Sequence, residues 1–106
     1  MTIENDFLAF AVGGSANVET QSAYVADTST LQNGFQSGIA NSGKLNKVWR
    51  QSSIMSAVLA QFICDLTGQN AIDDGTTAAL LANLKTAVTL QAPGLLNVQI
   101  FTSSGT

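Results

Sequence analysis

LNKVWRQSSIMSAVLAQFICDLTG, residues 45–68, decides the fold. Leu45, Val48, Ser52, Met55, Leu59, Phe62 and Leu66 recur at alternating spacings of three and four. That is the seam of an α-helix written in heptads. Gly68 follows the last apolar position, where a left-handed helix cap belongs. The pattern predicts a helix that starts between Asn46 and Ser52 and runs roughly four to six turns. The seam is not its only apolar stripe. Trp49 and Ile63 flank it on one side, Ile54 and Val58 on the other. So wide an apolar surface suits a helix touched on more than one side. It is either the central helix of a monomeric domain or a helix whose seam meets copies of itself.

Working outward, Asp73-Asp74-Gly75 opens a second strong helical pattern, TTAALLANLKTAV, residues 76–88. An aspartate there would cap the free N–H groups and oppose the helix dipole. Leu81, Leu84 and Val88 make one face, with Leu80 beside it, and Lys85 has the favourable sign near the far end. The short GQNAIDDG connection predicts that the two helices pack antiparallel as a hairpin. Pro93-Gly94 should stop the helical region. LLNVQIFT beyond it alternates Leu96, Val98 and Ile100 with Asn97 and Gln99, the pattern of one strand. Toward the N-terminus, Thr20 caps a short helix through about Asp27, with Tyr24 on its buried side. Residues 28–44 carry the turn pairs Asn33-Gly34, Ser37-Gly38 and Ser42-Gly43, with Phe35 and Ile39 placed to pin the connection to a core. FLAFAV, residues 7–12, reads as a short buried strand stopped by Gly13-Gly14. The expected fold is mainly α: a helical hairpin around a long central helix, with extended or strand segments at both ends.

Composition narrows the function. The chain has 106 residues, enough for one domain. Charged residues make up 10% of it, against a typical ~25%. A surface so poor in charge can be covered by another chain with little ion desolvation. The net charge of −3 argues against nucleic acid as a partner, since backbone neutralisation needs a basic surface. Cys64 is the one cysteine, so no intrachain disulfide forms. FLAFAV follows Glu4 and Asp6 and is too short for a signal peptide, and no stretch approaches a membrane span.

Residues 38–45, GIANSGKL, imitate a phosphate-binding loop but place Leu45 where a hydroxyl must hold magnesium. The preceding LQNGFQS is polar and turn-rich, not a buried strand. Histidine is absent, and Asp73-Asp74 lacks the alternating spacing of a calcium loop. Nothing here points to an enzyme, a metal site or a cofactor. Lys44, Lys47 and Arg50 sit near the start of the central helix, the unfavourable end for positive charge. They need carboxylates, and Asp27, Asp65 and Asp73 are the candidates. For Arg50 the expected contact is an acidic residue across an interface between chains.

NDFLAFAVGGSANVETQSAY, and then residues 34–88 from GFQSGIANSGKL through LLANLKTAV, resemble the N-terminal region of tail fibre proteins of tailed bacteriophages and prophages. The likeness spans roughly residues 5–90 and is most specific in LNKVWRQSSIM through AQFI and in TGQNAIDDGTTAALLANLK. It implies a structural virion component in the tail, homotrimeric, with this region docked on a baseplate or tail protein. Host-surface contact would belong to distal domains that this chain does not contain. In that scheme residues 1–19 are an extended lead, 20–90 a helical attachment and trimerisation domain, and 91–106 a strand leading toward a distal fibre domain. The expected interface is Leu45, Val48, Met55, Leu59, Phe62 and Leu66, with Trp49 and Arg50 making contacts outside the seam. The mixture of Leu, Val, Met and Phe does not separate trimer from dimer. The rival expectation is a receptor- or glycan-binding module of the fibre.

Overall fold

A computed structural model describes the backbone of residues 2–104 and the side chains of residues 2–91. It is mainly α-helical: α1 (Gln21–Ala26), α2 (Thr28–Asn33), α3 (Ser42–Thr67) and α4 (Ala78–Ser104). Among the described residues there is no strand. The nearest approach to one is an isolated parallel bridge between Asn5 and Ala71. The chain forms two compact units, one from Leu8 to Ser56, the other from Ala57 onward together with the segment up to Phe7.

In the Leu8–Ser56 unit, polar side chains set the helix starts. The Thr20 hydroxyl accepts from the Ala23 N–H at 3.2 Å and caps α1. Asp27 caps α2 by accepting from the Thr30 N–H at 3.4 Å, and Gly34 ends it at φ 71°. This second short helix stands where only turns were expected. Phe35 and Ile39 do not pin anything to a core, for both are exposed. Helix α3 begins at Ser42, earlier than the apolar pattern implies. Asn41 is the reason: its side chain accepts from the Lys44 N–H at 3.1 Å and its carbonyl from the Leu45 N–H at 3.0 Å. A cap can start a helix before its first apolar residue. Gly43, read as a turn, lies buried in that first turn, where its carbonyl accepts from the Glu19 N–H at 3.1 Å.

In the other unit, Gly68 ends α3 as expected, at φ 69° with its N–H on the Cys64 carbonyl at 3.0 Å. Asp74 does not cap α4 directly. It closes the preceding loop by accepting from the Thr76 N–H (2.9 Å) and hydroxyl (2.6 Å), and the Thr77 carbonyl accepts the first helical N–H, from Leu81. Ala60, Cys64 and Ala71 are the buried cluster, with Phe7 and Leu80 packed against it.

Two expected strands are corrected. Residues 7–12 form no ladder, and Leu8, Phe10 and Val12 are exposed. LLNVQIFT, residues 95–102, is helical, because α4 continues through Pro93-Gly94 to Ser104. A short apolar run does not by itself distinguish strand from helix. With no strand among the described residues to receive its N–H and C=O groups, the backbone satisfies them within a helix.

Candidate interaction surface

The expected interface residues all lie on α3, and the structure distributes them by exposure. Met55 is 64% exposed and Leu59 48%. Ser52, the seam position before them, is exposed too, while Leu45, Val48, Phe62 and Leu66 are half-buried. The positions that the chain itself buries on this helix are others: Gly43, Lys47, Ala60, Ile63 and Cys64. The middle of the heptad seam therefore points away from the chain's own contacts. Val58 beside it is exposed too, and so are Leu81 and Val88 on α4. Among the described residues, Ile63 is the one large aliphatic side chain that is buried. Exposed apolar side chains in one register are a candidate contact surface.

Trp49 is 51% exposed, and the edge of one ring of the Phe10–Trp49 pair meets the face of the other at 5.8 Å between centroids, with 81° between planes. The Phe10 N–H donates to the Ser53 Oγ at 2.8 Å, which ties the N-terminal segment to this stretch of α3.

The cationic residues divide. Lys44 Nζ pairs with Asp27 Oδ2 and, at 3.3 Å, with Glu19 Oε2. Two carboxylates thus answer the charge that the helix dipole disfavours. The Lys44 ammonium beside it, and then the Thr30 hydroxyl, hold the Asp27 carboxyl below its ordinary value, and the Lys44 pKa is pushed up chiefly by Asp27. Lys47 is 4% exposed, and its Nζ stands 5.7 Å from the centre of the Tyr24 ring, a cation–π contact. Arg50 is half-buried, and among the described residues no carboxylate of this chain pairs with it. Of the three carboxylates expected to answer these cations, Asp27 is taken by Lys44, and Asp65 accepts from the Gln61 amide at 2.8 Å. The third, Asp73, offers its backbone N–H to Asp6 at 2.9 Å.

The stretch that imitates a phosphate loop lines an open depression of about 430 Å³ with Ser29, Thr30 and Phe35. Its Lys44 is already engaged by two carboxylates, which would repel a phosphate. Among the described residues no group of three potential metal ligands comes together, and no helix is long and apolar enough to cross a membrane. Sequence reasoning missed Asn5, Asn17, Asn41 and Asn70 as organising residues. Asn41 was findable as a helix cap, whereas Asn5 and Asn70 act over a separation that no local pattern reports.

No protein-family model, no curated protein and no solved structure matches the chain.

Proposed function

We propose that this chain is the proximal, tail- or baseplate-attaching part of a phage or prophage tail fibre, in which α3 and α4 form a helical hairpin and the α3 seams of three copies meet. The exposure of Met55 and Leu59 in heptad register carries the reading. The low charge and the likeness of residues 5–90 to tail fibre N-termini support it. Burying a large apolar side chain contributes about 1.5–3 kcal/mol. A few per copy are of the same order as the ~4–15 kcal/mol that association costs. In this reading the role is structural and places the chain in the virion tail, where it sets fibre register for host adsorption without catalysis or a cofactor. Light scattering tests it: the expected molar mass is three times that of one chain. Met55→Glu with Leu59→Glu should yield single copies with unchanged helical content. A single-copy species for the unaltered chain at micromolar concentration sinks the reading.

A second reading rests on Trp49. A half-exposed indole in an edge-to-face pair with Phe10 is a surface on which a sugar ring can stack. Binding on a glycan array that disappears in Trp49→Ala would favour a receptor-binding module over attachment.

A further inference from the structure

We propose that the N-terminal arm, residues 4–10, is an exchange element, docked in the assembled protein on α3 and the α3–α4 connection of a second copy. The proposal rests on the reading that copies of the chain associate, and adds how they interlock.

The arm's polar contacts to the rest of the chain are all remote in sequence. The Asp6 N–H donates to the Ala71 carbonyl at 2.9 Å, and the Ala71 N–H to the Glu4 carbonyl at 3.0 Å. The Glu4 N–H donates to Asn70 Oδ1 at 2.8 Å, and Asn5 Nδ2 to the Ala57 carbonyl at 3.0 Å. Phe10 closes the far end on Ser53 and Trp49. Apart from a turn within the arm itself, every described hydrogen bond and ring contact of residues 4–10 goes to residues 49–73. A segment of this kind keeps all its contacts when it docks on an identical neighbour, so exchange costs little.

The hinge supplies a bias. Ala11 has φ 57°, in the left-handed region where an L side chain is strained. Gly13 and Gly14 follow, with nothing within 4 Å of where their Cβ atoms would be. A strained hinge next to an intact docking segment favours the open, exchanged form, in which Ala11 is free to relax.

The test uses full-length chains in a Cys64→Ser background. One preparation carries Asn5→Cys and another Gln61→Cys, two positions whose side-chain tips lie 3.4 Å apart. They are mixed unfolded, refolded together and treated with a short bismaleimide. The expected result is a covalent product joining one chain of each kind. Adding Ala11→Gly to both should move the equilibrium toward own-chain docking by roughly 5- to 30-fold, the factor that corresponds to one left-handed alanine. Exchange is overturned if the mixture gives no such product while a single chain carrying both cysteines cross-links internally. It is overturned equally if neither cross-links. Molar mass is measured on the same samples, so a trimer without the mixed product removes the exchange and leaves the assembly standing. Should the substituted chains fail to fold, the unaltered protein decides. In a refolded mixture of isotope-labelled and unlabelled chains, an isotope-filtered nuclear Overhauser contact between Phe10 and Trp49 of different chains supports exchange. Its absence in an oligomer of proven mass overturns it.

Discussion

The two compact units solve the same problem with different material. From Ala57 onward the interior is made of small residues and one large one, Ile63. Ala60, Cys64, Ala71 and Ala87 are buried, and the chain closes over them by backbone pairing between Glu4, Asp6 and Ala71. From Leu8 to Ser56 the buried residues are Gly43 and Lys47, and the joints are polar. The Asn17 amide donates to the Ser42 hydroxyl at 2.8 Å, the Asn46 amide donates to the Asn17 carbonyl at 3.0 Å, and Lys44 bridges Glu19 and Asp27. Apart from Ile63, neither solution buries a large aliphatic side chain among the described residues, and many Leu and Val side chains stay exposed. The contrast also says how each unit should fail: the first through size and buried charge, the second through titration and salt.

The largest effect belongs to the small-residue interior. Ala71 is fully buried, with both backbone groups paired to the N-terminal arm. Ala71→Asp buries a charge with no partner and should cost about 3–5 kcal/mol, read as a fall in the urea midpoint. If the midpoint barely moves, the alanine cluster is not the core of that unit. Next comes the end of α3. Gly68 is held at φ 69°, so Gly68→Ala should cost about 1–2 kcal/mol through the left-handed backbone alone. Nothing lies within 4 Å of the added methyl group, which keeps this a clean test of backbone strain rather than of packing.

How much of this was legible follows from the range of each interaction. The α3 heptads and the Gly68 cap were readable because both are local: one is a spacing, the other a residue type at a helix end. Thr20 was readable for the same reason. The start of α3 at Ser42 was missed because apolar periodicity does not register a polar cap, although Asn41 was in plain sight. The continuation of α4 through Pro93-Gly94 was missed because turn residues and an alternating apolar run outweighed the missing strand partner. Docking of Asn5 and Asp6 on Ala57 and on residues 70–73 joins segments more than fifty residues apart, and no window of sequence shows it. Exposure of Met55 and Leu59 was open at the sequence level, where a heptad seam fits an internal face as well as an external one.

In the Leu8–Ser56 unit the next effect is smaller. Trp49→Ala removes the edge-to-face pair with Phe10, worth about 0.5–1.5 kcal/mol beyond area burial. A thermal shift confined to this range leaves the polar joints as the main support. A loss several times larger would mean that the aromatic pair, and not the Lys44 bridge, holds the unit together.

The smallest effect separates the units most sharply, and it concerns pH. The Asp27 carboxyl is held below its ordinary 3.8, first by Lys44 and then by Thr30. Its contribution to stability is therefore complete above pH 3.8 and is lost as the pH falls through the lower folded value. Asp74, in the other unit, is lowered by the Thr76 hydroxyl and N–H and fades in the same acid window, so acid alone does not tell the units apart. The alkaline side does. Lys44 is raised above its ordinary 10.5, chiefly by Asp27, so its contribution is complete below pH 10.5 and is lost only as the pH rises through the higher folded value. The melting temperature should then be flat between about pH 5 and 10 and sag at both ends. Lys44→Met should lower the plateau, because Glu19 and Asp27 are left facing each other, and should remove the Lys44 share of the alkaline sag. High salt should narrow the gap between the two proteins by screening the exposed part of the bridge. Asp74→Asn gives the opposite signature, with the acid arm reduced and the alkaline arm intact. If Lys44→Met and the unaltered chain fell in parallel above pH 10.5, the bridge would contribute nothing to the fold and the polar account of this unit would fail.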